Sequence, residues 1–380
     1  MSLDLNNPPK ILYLSFNQDY SCLNCGTDQG FIIYNTNPPK VRYHRNFGGG
    51  IGIVEVLKTS NILILVGGGD HPKYPVNKLV IWDDYQDKVI TDIQTNYKIL
   101  GVKFNEECLA VVCKNVVKLY HLESLKFLNK IETHDNPDGI CSLSSTKNSP
   151  LIIVPGTEVG SVTILNHATG VKKTVSCHQN PINSITLNGP ATKFATTSDT
   201  GTLVRVFDVE TNAKLNEFRR GSDSCKIYSV EFSGDSTSLV TTSSKNNVHV
   251  FSLLKDIKNN RSKLRTVGGV LSSYFKSEWG LLEVKWEPTT SNNNENEKAE
   301  NVNLKKQHIA TIIENSDHTG LYTLFVVGYD GKYASYNFKL ASPNTQVPDG
   351  EHAEVNDMKK DHLEKLLSGN LFQLFKEIEN

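Results

Sequence analysis

Short apolar runs of strand length recur along almost the whole chain, separated by clusters of Gly, Asn, Asp and Pro. The first group reads Ile11-Leu12-Tyr13-Leu14-Ser15-Phe16, then Ser21-Cys22-Leu23-Asn24-Cys25-Gly26-Thr27, then Gly30-Phe31-Ile32-Ile33-Tyr34. That is a strand, a turn, a second strand and a turn into a third. A second group begins near Gly50-Ile51-Gly52-Ile53, continues through Ile62-Leu63-Ile64-Leu65-Val66, and includes Lys78-Leu79-Val80-Ile81-Trp82-Asp83. Further groups start near Ile99, Gly139, Ile182, Ile227 and Ile309, and their third strands line up as Val116–Tyr120, Ser161–Leu165, Leu203–Phe207, Val248–Phe251 and Tyr333–Phe338. The spacing is roughly forty residues, that of four-stranded propeller blades, and Trp82-Asp83 is a blade signature. The pattern predicts an all-β chain folded as a β-propeller of about seven blades over residues 1–340. A pair of β-sandwich domains is the other architecture such runs allow, and regular recurrence favours radial repetition.

Three segments break the pattern. Residues 253–274 are too long for a turn inside a blade and interleave bases (Lys255, Lys258, Arg261, Lys263, Arg265) with apolar residues (Leu254, Ile257, Leu264, Val267, Leu271). That mixture suits an anionic bilayer, the bases meeting headgroups while Leu264, Val267 and Leu271 enter the interface; a solvated loop is the plainer reading. Residues 289–303 are rich in Asn, Glu and Lys and read as a disordered insertion. In residues 341–380, Met358, Leu363, Leu366, Leu367, Leu371, Leu374, Phe375 and Ile378 recur at helical spacing, interrupted by Gly369. This predicts a short helical tail beyond the propeller.

A chain of 380 residues could hold two or three average domains or one propeller. Its net charge of −1 advertises no global field for nucleic acid, so any anion binding must be local. Seven cysteines, an odd number scattered through apolar strands, argue against a disulfide framework and for a reducing compartment. The start Met1-Ser2-Leu3-Asp4-Leu5-Asn6-Asn7-Pro8-Pro9 lacks the features of a signal peptide, and no window reaches the length of a spanning helix. A cytoplasmic protein with at most peripheral membrane contact is expected.

Local anion chemistry concentrates at Phe218-Arg219-Arg220-Gly221, two arginines at the end of a strand followed by a turn. Neighbouring strand side chains point to opposite faces, so the pair is expected to look into two different pockets. Guanidinium suits phosphate, which it can bind bidentately. On its two sides lie similar segments, Thr197-Ser198-Asp199-Thr200-Gly201-Thr202-Leu203-Val204-Arg205-Val206-Phe207 and Thr242-Ser243-Ser244-Lys245-Asn246-Asn247-Val248-His249-Val250-Phe251. Arg205 and His249 thus occupy equivalent positions in successive repeats. The expected pairing is Arg205 with Arg219 and His249 with Arg220. The bland alternative, arginines engaged in surface ion pairs on a protein-only scaffold, differs in one respect: whether carboxylates stand beside these cations.

With Phe16-Asn17-Gln18-Asp19, Gly49-Gly50-Ile51, Lys78–Asp84 and Tyr274–Trp279, the Phe-Arg-Arg-Gly element resembles the PROPPIN family, seven-bladed WD-repeat propellers that include the WIPI proteins. The shorter, Hsv-like fungal branch is the nearer likeness. The resemblance covers nearly everything to about residue 340 and implies recognition of phosphatidylinositol 3-phosphate and phosphatidylinositol 3,5-bisphosphate through two rim pockets. By that resemblance the first pocket uses His178, Ser198, Thr202, Arg205 and Arg219, and the second uses Arg220, Ser243, Asn247 and His249. Asn246-Asn247 stands where the family commonly has Gly-Thr, changing both turn and hydroxyl. The loop at 254–273 sits where the family carries a membrane-inserting loop. The resemblance further implies a role in autophagy or endosomal and vacuolar trafficking, with protein partners on the opposite rim. Since His178 and His249 carry side chains that ordinarily titrate near neutral pH, mild acidification is expected to tighten binding.

No cofactor or catalytic site is expected. Cys22 and Cys25 form a lone pair within an apolar strand, without a second pair at metal spacing. Gly67-Gly68-Gly69 lacks the Gly-Lys-Ser/Thr ending of a P-loop. His121, His134 and His167 accompany no nucleophile, so an enzyme is not expected.

Overall fold

A computed structural model describes residues 8–145, 151–254, 278–287, 308–315, 320–340 and 364–377. Among them the strands form seven sheets, antiparallel but for one short added strand in blade five, arranged as the blades of a propeller. Blade one runs from Ile11–Phe16 to Pro39–Asn46, blade two from Ile51–Val56 to Lys88–Gln94, blade three from Gly101–Phe104 to Phe127–Glu132, and blade four from Ser142–Leu143 to Lys172–Ser176. Blade five comprises Ile182–Leu187, Lys193–Ser198, Leu203–Asp208 and Lys214–Arg219; blade six comprises Ile227–Phe232, Ser238–Ser243, Asn247–Ser252 and Leu282–Lys285. Blade seven comprises His308–Glu314, Leu321–Gly328, Lys332–Lys339 and Glu364–Asn370.

The hydrophobic pattern follows from this stacking. A second or third strand is covered on both faces by neighbouring blades, which is why Cys108–Cys113 is buried throughout. A fourth strand lies at the rim, so Lys88–Gln94 is largely exposed. The buried apolar side chains fall into seven clusters among the described residues, each lying between two consecutive blades. Cys22 and Cys25 face opposite ways, Cys22 into the cluster shared with blade two and Cys25 into the one shared with blade seven.

The tail departs from the helical expectation. Glu364–Asn370 is the fourth strand of blade seven, paired antiparallel with Lys332–Lys339, so the propeller does not end at residue 340. Gly369 is not a helix interruption: it lies opposite Tyr333, whose ring would crowd a Cβ there at 3.1 Å. An otherwise three-stranded blade offers a ladder of unpaired backbone groups, and filling it outweighs local helical preference. Among the described residues of the tail only Leu371–Glu377 is helical, a short 3-10 segment. The loop at 254–273, apart from Leu254, and the insertion at 289–303 lie outside the described residues, and Leu264, Val267 and Leu271 with them.

Ring closure follows from the same segment. Among the described residues, blade one and blade seven are each built from consecutive strands, with no strand exchanged between them. The seam is held by side chains: Leu371, Phe372, Leu374 and Phe375 share a cluster with Ile11, Leu14, Tyr34 and Val41 of blade one. Phe375 meets the Tyr34 ring edge-on at 6.4 Å and the His44 ring at 5.1 Å.

Candidate anion-binding clefts

The two faces of blade five are distinguished by what packs on them. Phe207 belongs to the cluster shared with blade four, whereas Val204, Val206 and Phe218 belong to the one shared with blade six. Arg205 lies opposite Thr196 on one side and Glu217 on the other, and Leu203 lies opposite Arg219. Directly opposed residues share a face, so Thr196, Arg205, Glu217 and Arg219 all turn towards blade four, with Arg205 and Arg219 as diagonal neighbours. Phe218 turns the other way. Arg220 does the same, and burial followed by the Arg220 charge draws the His249 pKa of blade six down to about 4.

Blade six repeats the arrangement. His249 lies opposite Thr241 and opposite Glu283. Its ring stacks over Phe251, which joins the blade five cluster, so Thr241, Ser243, Asn247, His249 and Glu283 face blade five. Arg205 and His249 are therefore equivalent, each flanked by a second-strand threonine and a fourth-strand glutamate.

In the cleft between blades four and five, His178 is buried, with Nε2 3.0 Å from Thr196 Oγ1. Burial first, then the Arg205 charge, brings its pKa to about 4. Arg205 donates from Nη1 to the Cys177 carbonyl at 2.5 Å and from Nε to Glu217 Oε2 at 2.8 Å. Lys214 reaches the same Glu217 oxygen at 2.8 Å. Burial works against the Glu217 carboxylate, but Lys214 and Arg205 hold its pKa below the usual value. Ser198 Oγ is 2.9 Å from Thr200 Oγ1, and Thr202 supplies a carbonyl to the Arg220 backbone N–H.

In the cleft between blades five and six, Arg220 is 6% exposed and donates from Nε to Gly201 O at 3.0 Å and from Nη2 to Asp223 O. Gly201 has φ +60, and a Cβ there would fall 1.9 Å from Cys225 O, so only glycine makes this turn and presents that carbonyl. Across the cleft, Thr241 Oγ1, Ser243 Oγ and His249 Nε2 are buried without a hydrogen-bond partner among the described residues. Buried polar atoms are nearly always paired. Three such atoms share one face opposite a buried guanidinium, a donor and acceptor set that a polar ligand could satisfy. Asn247 instead donates from Nδ2 to Glu283 Oε1 at 2.7 Å.

The PROPPIN family model matches residues 11–342. The chain belongs to the PROPPIN family. These are phosphoinositide-binding β-propellers associated with autophagy. Among relatives of this PROPPIN, SVP1-like protein 2 of Schizosaccharomyces pombe is 36% identical over 244 residues, spanning 63% of this chain and 67% of that protein. Autophagy-related protein 18 of Yarrowia lipolytica is 33% identical over 266 residues, spanning 64% and 66%. The solved structure of Kluyveromyces lactis Hsv2 shares the fold, with TM-score 0.69 at 22% identity over 96% of this chain and 99% of that one. KlAtg21, solved in complex with the coiled coil of AgAtg16, aligns with TM-score 0.68 at 20% identity, covering 95% and 99%.

Several features of this PROPPIN's clefts were not legible beforehand. The turn residue Asn246 has φ 58, a left-handed conformation that asparagine tolerates, so replacing the usual glycine preserves the turn. The expectation that His178 and His249 titrate near neutrality is overturned: burial and a neighbouring guanidinium keep both imidazoles neutral well below that range. Thr196, Thr241 and Glu217 carry no motif of their own, although each lies directly opposite Arg205 or His249 in the ladder. Glu278–Trp279 adds a parallel fifth strand to blade five alongside Phe218 and Arg219. Gly280 then crosses to blade six, where its Cβ position lies 3.3 Å from His249 Nδ1. Residues 278–280 thus run along the outer strand of blade five and reach His249 of the second cleft.

Proposed function

We propose that this PROPPIN is a peripheral membrane effector that recognises phosphatidylinositol 3-phosphate and phosphatidylinositol 3,5-bisphosphate through both clefts. The observation that carries the reading is the division of Arg219 and Arg220 between opposite faces of blade five, each face met by imidazole and hydroxyl groups. The first pocket comprises His178, Ser198, Thr202, Arg205 and Arg219; the second comprises Arg220, Ser243, Asn247 and His249. Charge-assisted bonds from such groups are strong where water is partly excluded. Two sites facing one bilayer make the second capture effectively intramolecular, raising avidity by about 10²–10⁴. Leu264, Val267 and Leu271 add apolar burial at about 25 cal/mol per Å².

The role is in autophagy or endosomal and vacuolar trafficking, on endosomal, vacuolar or pre-autophagosomal membranes supplied from the cytoplasm. Protein partners occupy the opposite rim; that there are protein partners at all is supported by the complex of KlAtg21 with the coiled coil of AgAtg16. One observation favours the protein-only scaffold instead: Arg205 is already ion-paired with Glu217. Single substitutions separate the readings. Arg205→Ala and Arg220→Ala are each expected to weaken binding to vesicles carrying phosphatidylinositol 3-phosphate by about a hundredfold, the avidity of one lost site. Arg205→Ala without effect would return the first cleft to a structural ion pair. Because the free imidazoles are neutral, any tightening on acidification has to come from proton uptake into the complex.

A further inference from the structure

Resting on the lipid reading, we infer that Glu217 is a specificity-determining residue of the first cleft, an internal anion that holds Arg205 until a multiply charged phosphate displaces it. The two clefts are related by repeat, with His249 standing where the first has Arg205, yet the guanidiniums of Arg205 and Arg220 are differently engaged. In the second cleft the side-chain partners of Arg220 are two backbone carbonyls, Gly201 O and Asp223 O, which leave its charge uncompensated by them. In the first, the guanidinium of Arg205 meets a carboxylate at 2.8 Å as well as the Cys177 carbonyl. The equivalent glutamate in blade six, Glu283, accepts from the neutral amide of Asn247. Of these two equivalent glutamates, Glu217 meets a guanidinium and Glu283 a neutral amide.

Arg205 and Glu217 are each about a quarter exposed, at 24% and 25% of their side chains, so their attraction is less screened than that of a surface pair. A phosphate arriving at Arg205 has to outbid Glu217. Lys214 lowers that barrier: its Nζ already contacts Glu217 Oε2 at 2.8 Å, so the displaced carboxylate keeps a cation when Arg205 turns to the ligand. A dianionic phosphate competes well, whereas a singly charged lipid headgroup has no advantage over the resident carboxylate. Glu217 thus sets a threshold of charge for entry.

The test isolates the first cleft with Arg220→Ala and compares it with the Arg220→Ala/Glu217→Gln double variant. Flotation uses phosphatidylcholine vesicles carrying either phosphatidylinositol 3-phosphate or phosphatidylserine. Glu217→Gln is expected to raise binding to the phosphoinositide vesicles roughly three- to tenfold, the scale of one partly screened ion pair. It is also expected to raise binding to phosphatidylserine by a larger factor, narrowing the discrimination. Lys214→Ala provides the opposite sign: with Glu217 left to Arg205 alone, binding falls, and the fall shrinks when Glu217→Gln is also present. Thermal melts of each variant report folding, and the Lys214→Ala arm stands if the glutamine variant is unstable. Wild type that binds while Glu217→Gln gains nothing would overturn this inference alone. Wild type that binds no vesicle would remove the lipid reading and the inference together.

Discussion

Phe375→Ala is expected to destabilise the propeller by about 3–5 kcal/mol, the cost of emptying a buried aromatic site. The ring of blades has one seam, and among the described residues no exchanged strand crosses it. At that seam Phe375 is 7% exposed and packs edge-on against Tyr34 and His44, beside Leu371 and Leu374. Every other blade junction is backed by covalent continuity of the chain from one blade to the next. Here the 3-10 segment Leu371–Glu377 reinforces the direct packing of Ile309, Phe325 and Val327 on blade one. Urea denaturation monitored by intrinsic fluorescence reads the effect directly. A loss below about 1 kcal/mol would mean that the strand Glu364–Asn370 seals the ring without its aromatic plug.

Stability is expected to fall steeply between about pH 6.5 and pH 4, from three buried histidines. His178, His249 and His308 all have pKa values drawn down to about 4, mainly by burial. A histidine whose folded pKa lies below its unfolded value stays neutral in the fold and takes up a proton on unfolding. Its stabilising contribution is therefore complete above about pH 6.5 and is lost as the pH falls towards the folded value. At about pH 5 the linkage amounts to about 2 kcal/mol for each, a large share of a typical domain's stability. His308 is the cleanest probe because it stands outside both clefts. It is fully buried, with its ring stacked on Trp286 at 5.8 Å and edge-on to Tyr228 at 5.5 Å. His308→Phe is expected to flatten part of the acid limb in denaturant titrations at successive pH values, and an unchanged limb would mean that His308 does not carry this share.

The architecture was legible because the physics that builds a propeller writes itself into the chain. Strands sandwiched between blades must be apolar on both faces, so runs such as Cys108–Cys113 recur at the blade period and announce it. The division of Arg219 from Arg220 was legible for an equally local reason, the two-residue period of a strand. What stayed hidden depended on neighbours far away in sequence. Leucines at 363, 366, 367, 371 and 374 carry a helical period, and only the vacant edge of blade seven makes Glu364–Asn370 a strand. Glu217 reads as an ordinary rim residue until the register places it opposite Arg205. The depressed histidines follow from burial, which motif spacing does not report.

We propose that the clefts on the two faces of blade five bind 3-phosphorylated phosphoinositides. The most direct test is flotation of the purified protein on vesicles carrying each phosphoinositide in turn at physiological salt, with the Arg219→Thr/Arg220→Thr variant alongside. Arg220 also ties the Gly201 and Asp223 carbonyls, so a thermal melt of the variant accompanies the measurement. The account predicts binding confined to phosphatidylinositol 3-phosphate and phosphatidylinositol 3,5-bisphosphate vesicles and lost in the folded variant. A folded variant that floats as well as wild type would contradict it.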